Sequence, residues 1–435
     1  MINFQRIGHI KKNILSNRFV QNLGWLGIAE GINRIFRLFA TFMLIKFLSH
    51  ENYGLTALIF ANFEYIRIFM RFGAAAKVIQ SEPEDLESTC NGAYSLTWTI
   101  GLGLSVVQAA LAVPIANFYG EEQLILPLIA LSLTYLIIPL GRVQSALIQR
   151  ENRLKITATI NAVQLSSNNL LTAIFAWAGL GIWAVVLPVL LTTPINAFIS
   201  LRCHSWRPSK RFSTEKWSEI GRFGMSVLGG RILNVFRNNF DYLVIPLFFD
   251  LETLGLYFFA FNAGLGISVN ITQAITQALY PHLCDARSSL SELKNTYFDS
   301  LKTIALIIVP FILLQSTLAN VYVPLLSDLA NNDWNEAVPI LVLICLSAIP
   351  RPFFLAVYQL LMALGKPNVF LKLDFLFTVM FSGAILLGAN LGSRFDNIIW
   401  VAIAVLAVHF LVMPVFIIWA TRYALNPVRN LIKEN

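Results

Sequence analysis

Charged residues are scarce in this sequence: Asp, Glu, Lys and Arg together make up 13% of its 435 residues. Soluble domains carry about 25% charged residues, and a soluble fold could not cover its surface with so few. Hydrophobic residues make up 56% of the chain, and the mean hydropathy is +0.65. Because the apolar residues come in helix-length blocks from end to end, the composition predicts an all-α integral membrane protein.

Sites that depend on cysteine or on a catalytic motif are also missing. The four cysteines stand far apart and form no C-x-x-C pair, which argues against a disulfide framework and a zinc site. There is no HExxH zinc motif, no GxxxxGK[ST] phosphate loop, no dinucleotide-type glycine loop and no nucleophile elbow. The sequence therefore predicts no enzyme, no metal and no cofactor; H⁺ and Na⁺ are the candidate coupling ions.

About twelve apolar segments are predicted to span the membrane, since a span needs about 20 apolar residues. They are residues 20–48, 53–78, 93–116, 124–148, 156–178, 182–201, 220–249, 254–279, 299–326, 337–364, 369–389 and 398–420. Several are longer than a bilayer requires, so we expect those helices to tilt or to extend beyond it.

Lysine and arginine are concentrated on one side of these spans. With a cytoplasmic N-terminus, the basic segments 1–18, 150–155, 202–217 and 422–435 all fall inside, and a single arginine falls outside. This pattern places both termini in the cytoplasm. The same placement of Lys and Arg explains the net charge of +8, so that the charge does not indicate nucleic acid as a partner. The loop 80–88 is an exception, because it is acidic although it falls inside.

Two short segments recur at offsets of 200 and 201 residues. The segment Ile32-Asn-Arg-Ile-Phe-Arg37 is similar to Ile232-Leu-Asn-Val-Phe-Arg237. Likewise, Phe47-Leu-Ser-His-Glu-Asn-Tyr-Gly-Leu55 is similar to Phe248-Phe-Asp-Leu-Glu-Thr-Leu-Gly-Leu256, and the two share an E-x-x-G-L motif. Each motif falls at the junction of the first and second helices of its own half, which indicates an internal repeat.

The repeat predicts the domain organisation. Each half holds six predicted helices, an even number, so both halves enter the membrane in the same orientation. We therefore predict an N-terminal six-helix lobe over 1–205, a basic cytoplasmic linker over 206–218 and a C-terminal six-helix lobe over 219–435. Two parallel lobes facing each other would enclose a central cavity.

Several charged side chains fall inside the predicted spans, where a charge costs about 2.5–3.5 kcal/mol on insertion scales. Such residues must face water, a partner or a substrate. Five arginines are predicted to line a cationic cavity that binds an anionic substrate: Arg34, Arg37, Arg231, Arg237 and Arg351.

Acidic residues in the same spans are candidates for ion coupling or for pairing with the arginines. They are Glu30, Glu64 and Asp241. Glu30 and Arg34 are four residues apart, a spacing that also fits a structural ion pair.

Amide side chains share one face of the fifth predicted helix. They are Asn161, Gln164 and Asn168. Amides can contact sugar hydroxyls, but they also bind helices to one another in membranes, and the sequence does not separate these roles. Arg71 and Lys77 are interpreted as side chains that extend to the membrane interface. We interpret His409 as a packed residue rather than a proton carrier.

Segments along the chain resemble the bacterial polysaccharide transporter family, the Wzx-type oligosaccharide flippases. The resemblance begins at Phe47–Leu55 and Arg71–Gln80 and continues at Ser145–Arg150, Gly179–Val185, Trp206–Ser209, Arg222–Gly224 and Gly255–Tyr257. It implies the MATE-like fold of the multidrug and oligosaccharidyl-lipid exporters (the MOP superfamily), in which two six-helix lobes form a V around a cavity.

The resemblance also implies a function. Its members move undecaprenyl-pyrophosphate-linked oligosaccharide repeat units across the bacterial inner membrane by alternating access, for O-antigen, capsule, lipopolysaccharide or exopolysaccharide synthesis. The implied partners are the lipid-linked substrate, membrane lipids and other polysaccharide-assembly proteins. A pyrophosphate group fits the cationic cavity inferred from the arginines.

Other functions stay open at this point. A multidrug or metabolite exporter of the same fold is the main alternative, although an arginine-rich cavity matches cationic drugs poorly. A membrane glycosyltransferase or polymerase is disfavoured because the predicted outside loops are too short for a catalytic domain. A scaffold in a polysaccharide-assembly complex would not need arginines inside its spans.

Overall fold

The computed structural model describes residues 18–209 and 212–426, with side chains described there except at 18–30, 154, 226–227 and 265–278. This part of the chain is almost entirely helical and contains no strand. Its α-helices are α1 (Arg18–Phe47), α2 (His50–Arg67), α3 (Ala74–Gln80), α4 (Leu86–Tyr119), α5 (Ile125–Ser132), α6 (Thr134–Ile137), α7 (Pro139–Arg150), α8 (Leu154–Trp177), α9 (Trp183–Cys203), α10 (Trp217–Val244), α11 (Leu251–Ala286), α12 (Leu290–Ala330), α13 (Ala337–Ser347), α14 (Arg351–Ala363), α15 (Pro367–Arg394) and α16 (Ile399–Ala424).

Each predicted span coincides with one helix or with consecutive helices separated by a short break. Within the described residues, six spans are long and apolar enough by themselves to cross a membrane: α4, α9, α12, α13 with α14, α15 and α16. A seventh results if the bent pair Glu122–Ile137 and Pro139–Arg150 is counted as one. The all-α membrane prediction is confirmed.

Contacts divide the chain into two compact units. Unit 1 comprises Met1–Leu48 and Asn62–Ile232, and unit 2 comprises Ser49–Ala61 and Leu233–Asn435. The first half of α2 therefore packs with unit 2, and α10 continues from one unit into the other. The lobe boundaries given above stay a prediction.

Two spans of unit 1 that the sequence predicts as continuous are broken. α2 ends at Arg67, and a 3-10 turn over Ile68–Arg71 precedes α3. The fourth span bends by 51° between Ile137 and Pro139, because proline has no N–H to donate to the preceding turn. The predicted continuity is wrong at both places.

One break in unit 2 is confirmed. The sequence predicts an interruption at Arg351, which stands between Pro350 and Pro352. Helix α13 ends at Ser347 and α14 begins at Arg351, with turns between them.

The recurring E-x-x-G-L motif forms a reciprocal helix contact within unit 2. A Cβ atom on Gly54 would collide with the backbone carbonyl oxygen of Leu251, and a Cβ atom on Gly255 would collide with that of His50. His50 and Leu251 occupy the same place in the repeat, since each directly precedes the glutamate of its motif. The first turns of α2 and α11 thus approach backbone to backbone, which explains why glycine recurs.

Alanine at Gly54 or at Gly255 is expected to destabilise the protein by about 1–3 kcal/mol, the usual cost of overpacking. The double variant should be destabilised by less than the sum of the two single variants, because both substitutions disturb one contact. Thermal unfolding of the purified protein measures this. Gly103→Ala is the matched control, since a Cβ there meets nothing within 4 Å. Equal unfolding temperatures for Gly54→Ala and Gly103→Ala would contradict the close contact.

Candidate functional site

A cavity of about 270 Å³ lies in unit 1, where the break after α2 meets α7, α8 and α9. Its lining residues are Arg67, Met70, Arg71, Ile138, Arg142, Ser145, Gln164, Thr193, Asn196 and Ala197. Pockets for small ligands measure about 300–1,000 Å³. This cavity therefore matches a group the size of a phosphate or pyrophosphate rather than a whole oligosaccharide.

Glu64 partly neutralises two arginines of this cavity. Its carboxylate accepts a hydrogen bond from Arg67, and its Oε2 lies 3.9 Å from Nη2 of Arg71. The Arg67 guanidinium also lies 5.1 Å from the ring centroid of Phe63, within cation–π range. Both arginines sit at the break after α2, where the chain leaves the helical path. The break thus places two cations at one wall of the cavity.

Arg142 is the third arginine of the cavity and was not among the residues predicted from the sequence. It lies in the first turn of α7, directly after the bend at Pro139, and is half-buried. Among the described residues it has no hydrogen-bond or ion-pair partner. The charges that act on it are two further cations, Arg71 and Arg231. The signal that could have found it was a charge inside the apolar span 124–148.

Arg231 is the one predicted cavity arginine that the described residues place beside this group. It is exposed on α10, and its Nη1 donates to the carbonyl oxygen of Arg71 at 3.3 Å. Within the part of the chain whose side chains are described, Arg67, Arg71, Arg142 and Arg231 are thus accompanied by one carboxylate, that of Glu64. Such an excess of positive charge in a partly desolvated site favours an anionic ligand.

The predicted amide face divides between two roles. Gln164 lines the cavity, and its Oε1 accepts a hydrogen bond from Nδ2 of Asn196 at 3.2 Å. Asn161 is exposed and Asn168 half-buried, and neither lines the cavity. The next residue, Asn169, donates to Oδ1 of Asn33 on α1 at 3.0 Å. Of the three predicted amides, Gln164 is therefore the one placed to contact a ligand there.

Two predicted residues of α1, Arg34 and Arg37, are not part of the lining of this cavity. Arg34 is half-buried and Arg37 is exposed. The side chain of Glu30 lies outside the described residues. Their predicted substrate and ion roles stay predictions.

Arg237 belongs to a buried ion pair in unit 2. Its Nη1 donates to the carboxylate of Asp374 and, at 3.2 Å, to the hydroxyl of Thr378. The guanidinium lies 5.7 Å from the ring centroid of Phe377. Since Asp374 already offsets its charge, Arg237 has an evident structural role, and a substrate contact by it stays a prediction.

Arg351 binds a histidine rather than a carboxylate. Its Nε donates to Nε2 of His409 at 3.2 Å, and Nδ1 of His409 lies 2.7 Å from the carbonyl oxygen of Val405. A carbonyl can only accept, so Nδ1 carries the proton and the imidazole is neutral. The geometry agrees with His409 as a packed residue, because a second proton would displace Arg351.

Asp241 is a buried acid of unit 2 without a basic ion-pair partner among the described residues. Its Oδ2 accepts from the hydroxyl of Tyr257 at 2.9 Å, and its Oδ1 accepts from the backbone N–H of Tyr242 at 3.0 Å. Glu64, by contrast, is paired with two arginines. Of these two predicted coupling residues, Asp241 is the one without an ion-pair partner among the described residues, and its coupling role stays a prediction. No cluster of three or more metal-ligating side chains occurs in the described part of the chain.

Residues 43–339 match the family described as "Polysaccharide biosynthesis protein". The lipopolysaccharide biosynthesis protein WzxC of Escherichia coli (strain K12) is 23% identical over 388 residues, covering 87% of this chain and 76% of WzxC.

Two solved structures share the fold, each at 14% identity. The lipid II flippase MurJ in an inward closed conformation gives a TM-score of 0.74 and covers 91% of this chain and 87% of MurJ. An inward-facing multidrug resistance MATE family transporter of the MOP superfamily gives a TM-score of 0.67, and the match covers 92% of this chain and 98% of that transporter.

These similarities confirm the resemblance seen in the sequence. The family match spans more than half of the chain, and the fold is shared with the two solved structures. The chain belongs to the polysaccharide biosynthesis protein family and has the fold of the MOP superfamily transporters.

Proposed function

We propose that this protein moves undecaprenyl-pyrophosphate-linked oligosaccharide repeat units across the bacterial inner membrane by alternating access, for synthesis of a surface polysaccharide. In this proposal both termini lie in the cytoplasm, and the partners are the lipid-linked substrate, membrane lipids and other polysaccharide-assembly proteins. The observation that carries it is the unit 1 cavity, in which three arginines surround a space of pyrophosphate size. The family match supports the same class of substrate.

The chemistry of the cavity fits a pyrophosphate. Guanidinium groups bind phosphate oxygens through paired N–H donors, and such charge-assisted bonds are about twice as strong as neutral ones. Arg142 has no competing carboxylate among the described residues, so its guanidinium can bind a phosphate without first breaking an ion pair. Arg67 and Arg71 share Glu64, which a pyrophosphate would displace or join. Gln164 and Asn196 add amide groups that can meet the first sugar.

Deletion of the gene in its host tests the proposal. We expect loss of the surface polymer and accumulation of undecaprenyl-linked repeat units at the cytoplasmic face, and those intermediates would identify the sugar. Complementation with the intact gene is the control. Unchanged polymer and unchanged lipid-linked pools, with no second transporter of this family in the strain, would contradict it. Altered drug resistance without any change in polymer would instead support a drug exporter.

Proton coupling through Asp241 belongs to the same proposal. Its carboxylate is buried, and its hydrogen-bond donors among the described residues, the Tyr257 hydroxyl and the Tyr242 backbone N–H, are neutral. In such a setting an acid can gain and lose a proton during a conformational cycle. No other cofactor enters the proposal.

Asp241→Asn is therefore expected to abolish the acceleration of transport by an inward proton gradient, because asparagine keeps the shape but cannot titrate. Transport rates in vesicles with and without a pH gradient measure this, and Asp285→Asn, an exposed acid of α11, is the control. If Asp241→Asn kept the full response to the gradient, coupling at this residue would be wrong. Acceleration of the wild type by a Na⁺ gradient alone would assign the coupling ion as Na⁺.

A further inference from the structure

The acidic loop 80–88 has a structural partner that explains its sequence. Asp85 lies 2.9 Å from Nζ of Lys216, which lies 3.7 Å from the carboxylate of Glu219. The other oxygen of Glu219 lies 2.5 Å from Nζ of Lys77. Acids and bases thus alternate along a chain of four residues that joins the loop, the end of the linker and the first turn of α10. The hydrogen bond that the Lys216 ammonium donates to the carboxylate of Asp85 raises the pKa of Lys216.

The linker itself lies along the start of α4. The backbone N–H of Ser209 donates to Oδ1 of Asn91 at 2.9 Å, and that of Ser213 donates to Oγ of Ser95 at 3.1 Å. At the end of the linker, Nε1 of Trp217 donates to the carbonyl oxygen of Gly92 at 3.1 Å. These bonds fix the linker on both sides of the pair 210–211.

Gly92 provides the groove in which the linker lies. A Cβ atom at this position would collide with the carbonyl oxygen of Glu215. The position of the linker therefore depends on one missing methyl group near the start of α4. Lys216, the next residue, has a φ of 63°, in the left-handed region that a non-glycine residue enters at a cost. The docked linker is held by its contacts against a local backbone preference.

These contacts are numerous but individually weak. The ion pairs are largely exposed: the side chains of Asp85 and Glu219 are 54% and 49% accessible. Ion pairs of this kind contribute little each and are screened by salt. Such a set of contacts can hold a segment in place and still release it. These contacts involve Trp217 and Glu219 in the first turn of α10, the helix that continues from unit 1 into unit 2.

We propose that the described linker residues, 206–209 and 212–217, form a releasable strap that docks on α4 at Gly92, is latched by the Asp85–Lys216–Glu219–Lys77 chain, and undocks during the transport cycle. The undocking step rests on the proposed function, whereas the docking does not. This proposal explains why the loop 80–88 is acidic although it is predicted to lie on the cytoplasmic side: its Asp85 is the counter-charge of Lys216 in the latch.

Hydrogen exchange of the full-length protein tests the docking. In Gly92→Ala, the amides of 206–217 should exchange about tenfold faster than in the wild type, because the added methyl group displaces Glu215. Gly103→Ala lies on the same helix, meets nothing within 4 Å and should leave the exchange unchanged. The milder variant Asp85→Asn should accelerate it less, and high salt should reduce the difference between Asp85→Asn and the wild type. Wild-type exchange in both Gly92→Ala and Asp85→Asn would overturn the docking.

A reversible lock tests the release. Asn91→Cys with Ser209→Cys, in a protein whose four native cysteines are replaced, joins the strap to α4 on oxidation. We expect the oxidised protein to lose at least about tenfold in transport of a lipid-linked saccharide and to regain it on reduction. Equal transport by the oxidised and reduced forms would overturn the release. If the cysteine-free parent and the wild type both transport no such substrate, the proposed function and the undocking step fail, and the exchange result still decides the docking.

Discussion

Replacing Arg142 with glutamine is expected to weaken the binding of an isoprenyl pyrophosphate by about 10- to 100-fold. Hydrogen bonds to charged groups contribute about 1.5–3 kcal/mol, and each 1.4 kcal/mol is about tenfold in affinity. Arg142 has no protein partner to lose among the described residues, so its removal should act on the ligand rather than on the fold. Farnesyl pyrophosphate is a suitable probe, titrated against the purified protein.

Matched measurements make this prediction specific. Farnesol, which lacks the pyrophosphate, should bind equally weakly to the wild type and to Arg142→Gln. Arg202→Gln removes an exposed arginine at the end of α9 that lies over the ring of Phe198, and should leave the affinity unchanged. The salt dependence of binding should also become shallower in Arg142→Gln, since one charge contact is gone. Equal affinity of the two arginine variants for farnesyl pyrophosphate would remove Arg142 from the site.

Replacing Asp374 with asparagine is expected to destabilise the protein by about 3–5 kcal/mol, because it leaves the Arg237 charge buried without a counter-charge. The side chains of Arg237 and Asp374 are 17% and 9% accessible, respectively, so water can solvate an unpaired charge there only weakly. Replacing both partners with leucine should recover most of this loss, since no charge then remains buried. Unfolding of the purified variants measures both effects.

The control for this pair lies on α12. Asp299 pairs with Lys302 at 2.9 Å, but both side chains are more than 70% accessible, and Asp299→Asn should cost at most about 1 kcal/mol. If Asp374→Asn cost no more than Asp299→Asn, the pair would not be structural. Transport by the double leucine variant then separates the two roles of Arg237: normal transport assigns it to the fold, and lost transport in a stable protein assigns it to the substrate path.

The helices were predictable because their signal is local. Apolar runs of sufficient length mark spans whatever their neighbours are, and the same runs locate α4, α9, α12, α15 and α16. The repeat was also visible in the sequence, since one backbone contact requires glycine at the same position of both motifs. That Gly54 and Gly255 contact each other's helix, however, required the structure.

The breaks were less predictable because proline alone does not decide them. Helix α12 continues through Pro310 and Pro324, whereas the fourth span bends at Pro139. A helix breaks where other contacts satisfy the freed backbone groups, and those contacts come from distant parts of the chain. The cavity depends on such breaks, and none of its lining arginines was predicted to line a cavity. Arg71 was interpreted as extending to the membrane interface, Arg142 was not identified, and Arg231, which was predicted to line a central cavity, lies beside this one.

Charge roles were the hardest to predict. A sequence shows that a charge lies within a span but not which partner it meets. Arg237 was predicted as a ligand residue, but it is paired with Asp374, 137 residues away. The acidic loop 80–88 is an exception to the positive-inside pattern, but its Asp85 pairs with Lys216 of the linker. In both cases the partner is distant in sequence, and only the fold brings the two together.

Translocation in proteoliposomes tests the central claim most directly. Purified protein is reconstituted with a fluorescent undecaprenyl-pyrophosphate-linked saccharide from the host, and its appearance in the opposite leaflet is timed for the wild type, for Arg142→Gln and for protein-free vesicles. We expect the wild type to move the lipid far faster than protein-free vesicles, and Arg142→Gln to lose most of that acceleration. Wild-type rates equal to those of protein-free vesicles, in a preparation that does transport a cationic drug, would contradict the account.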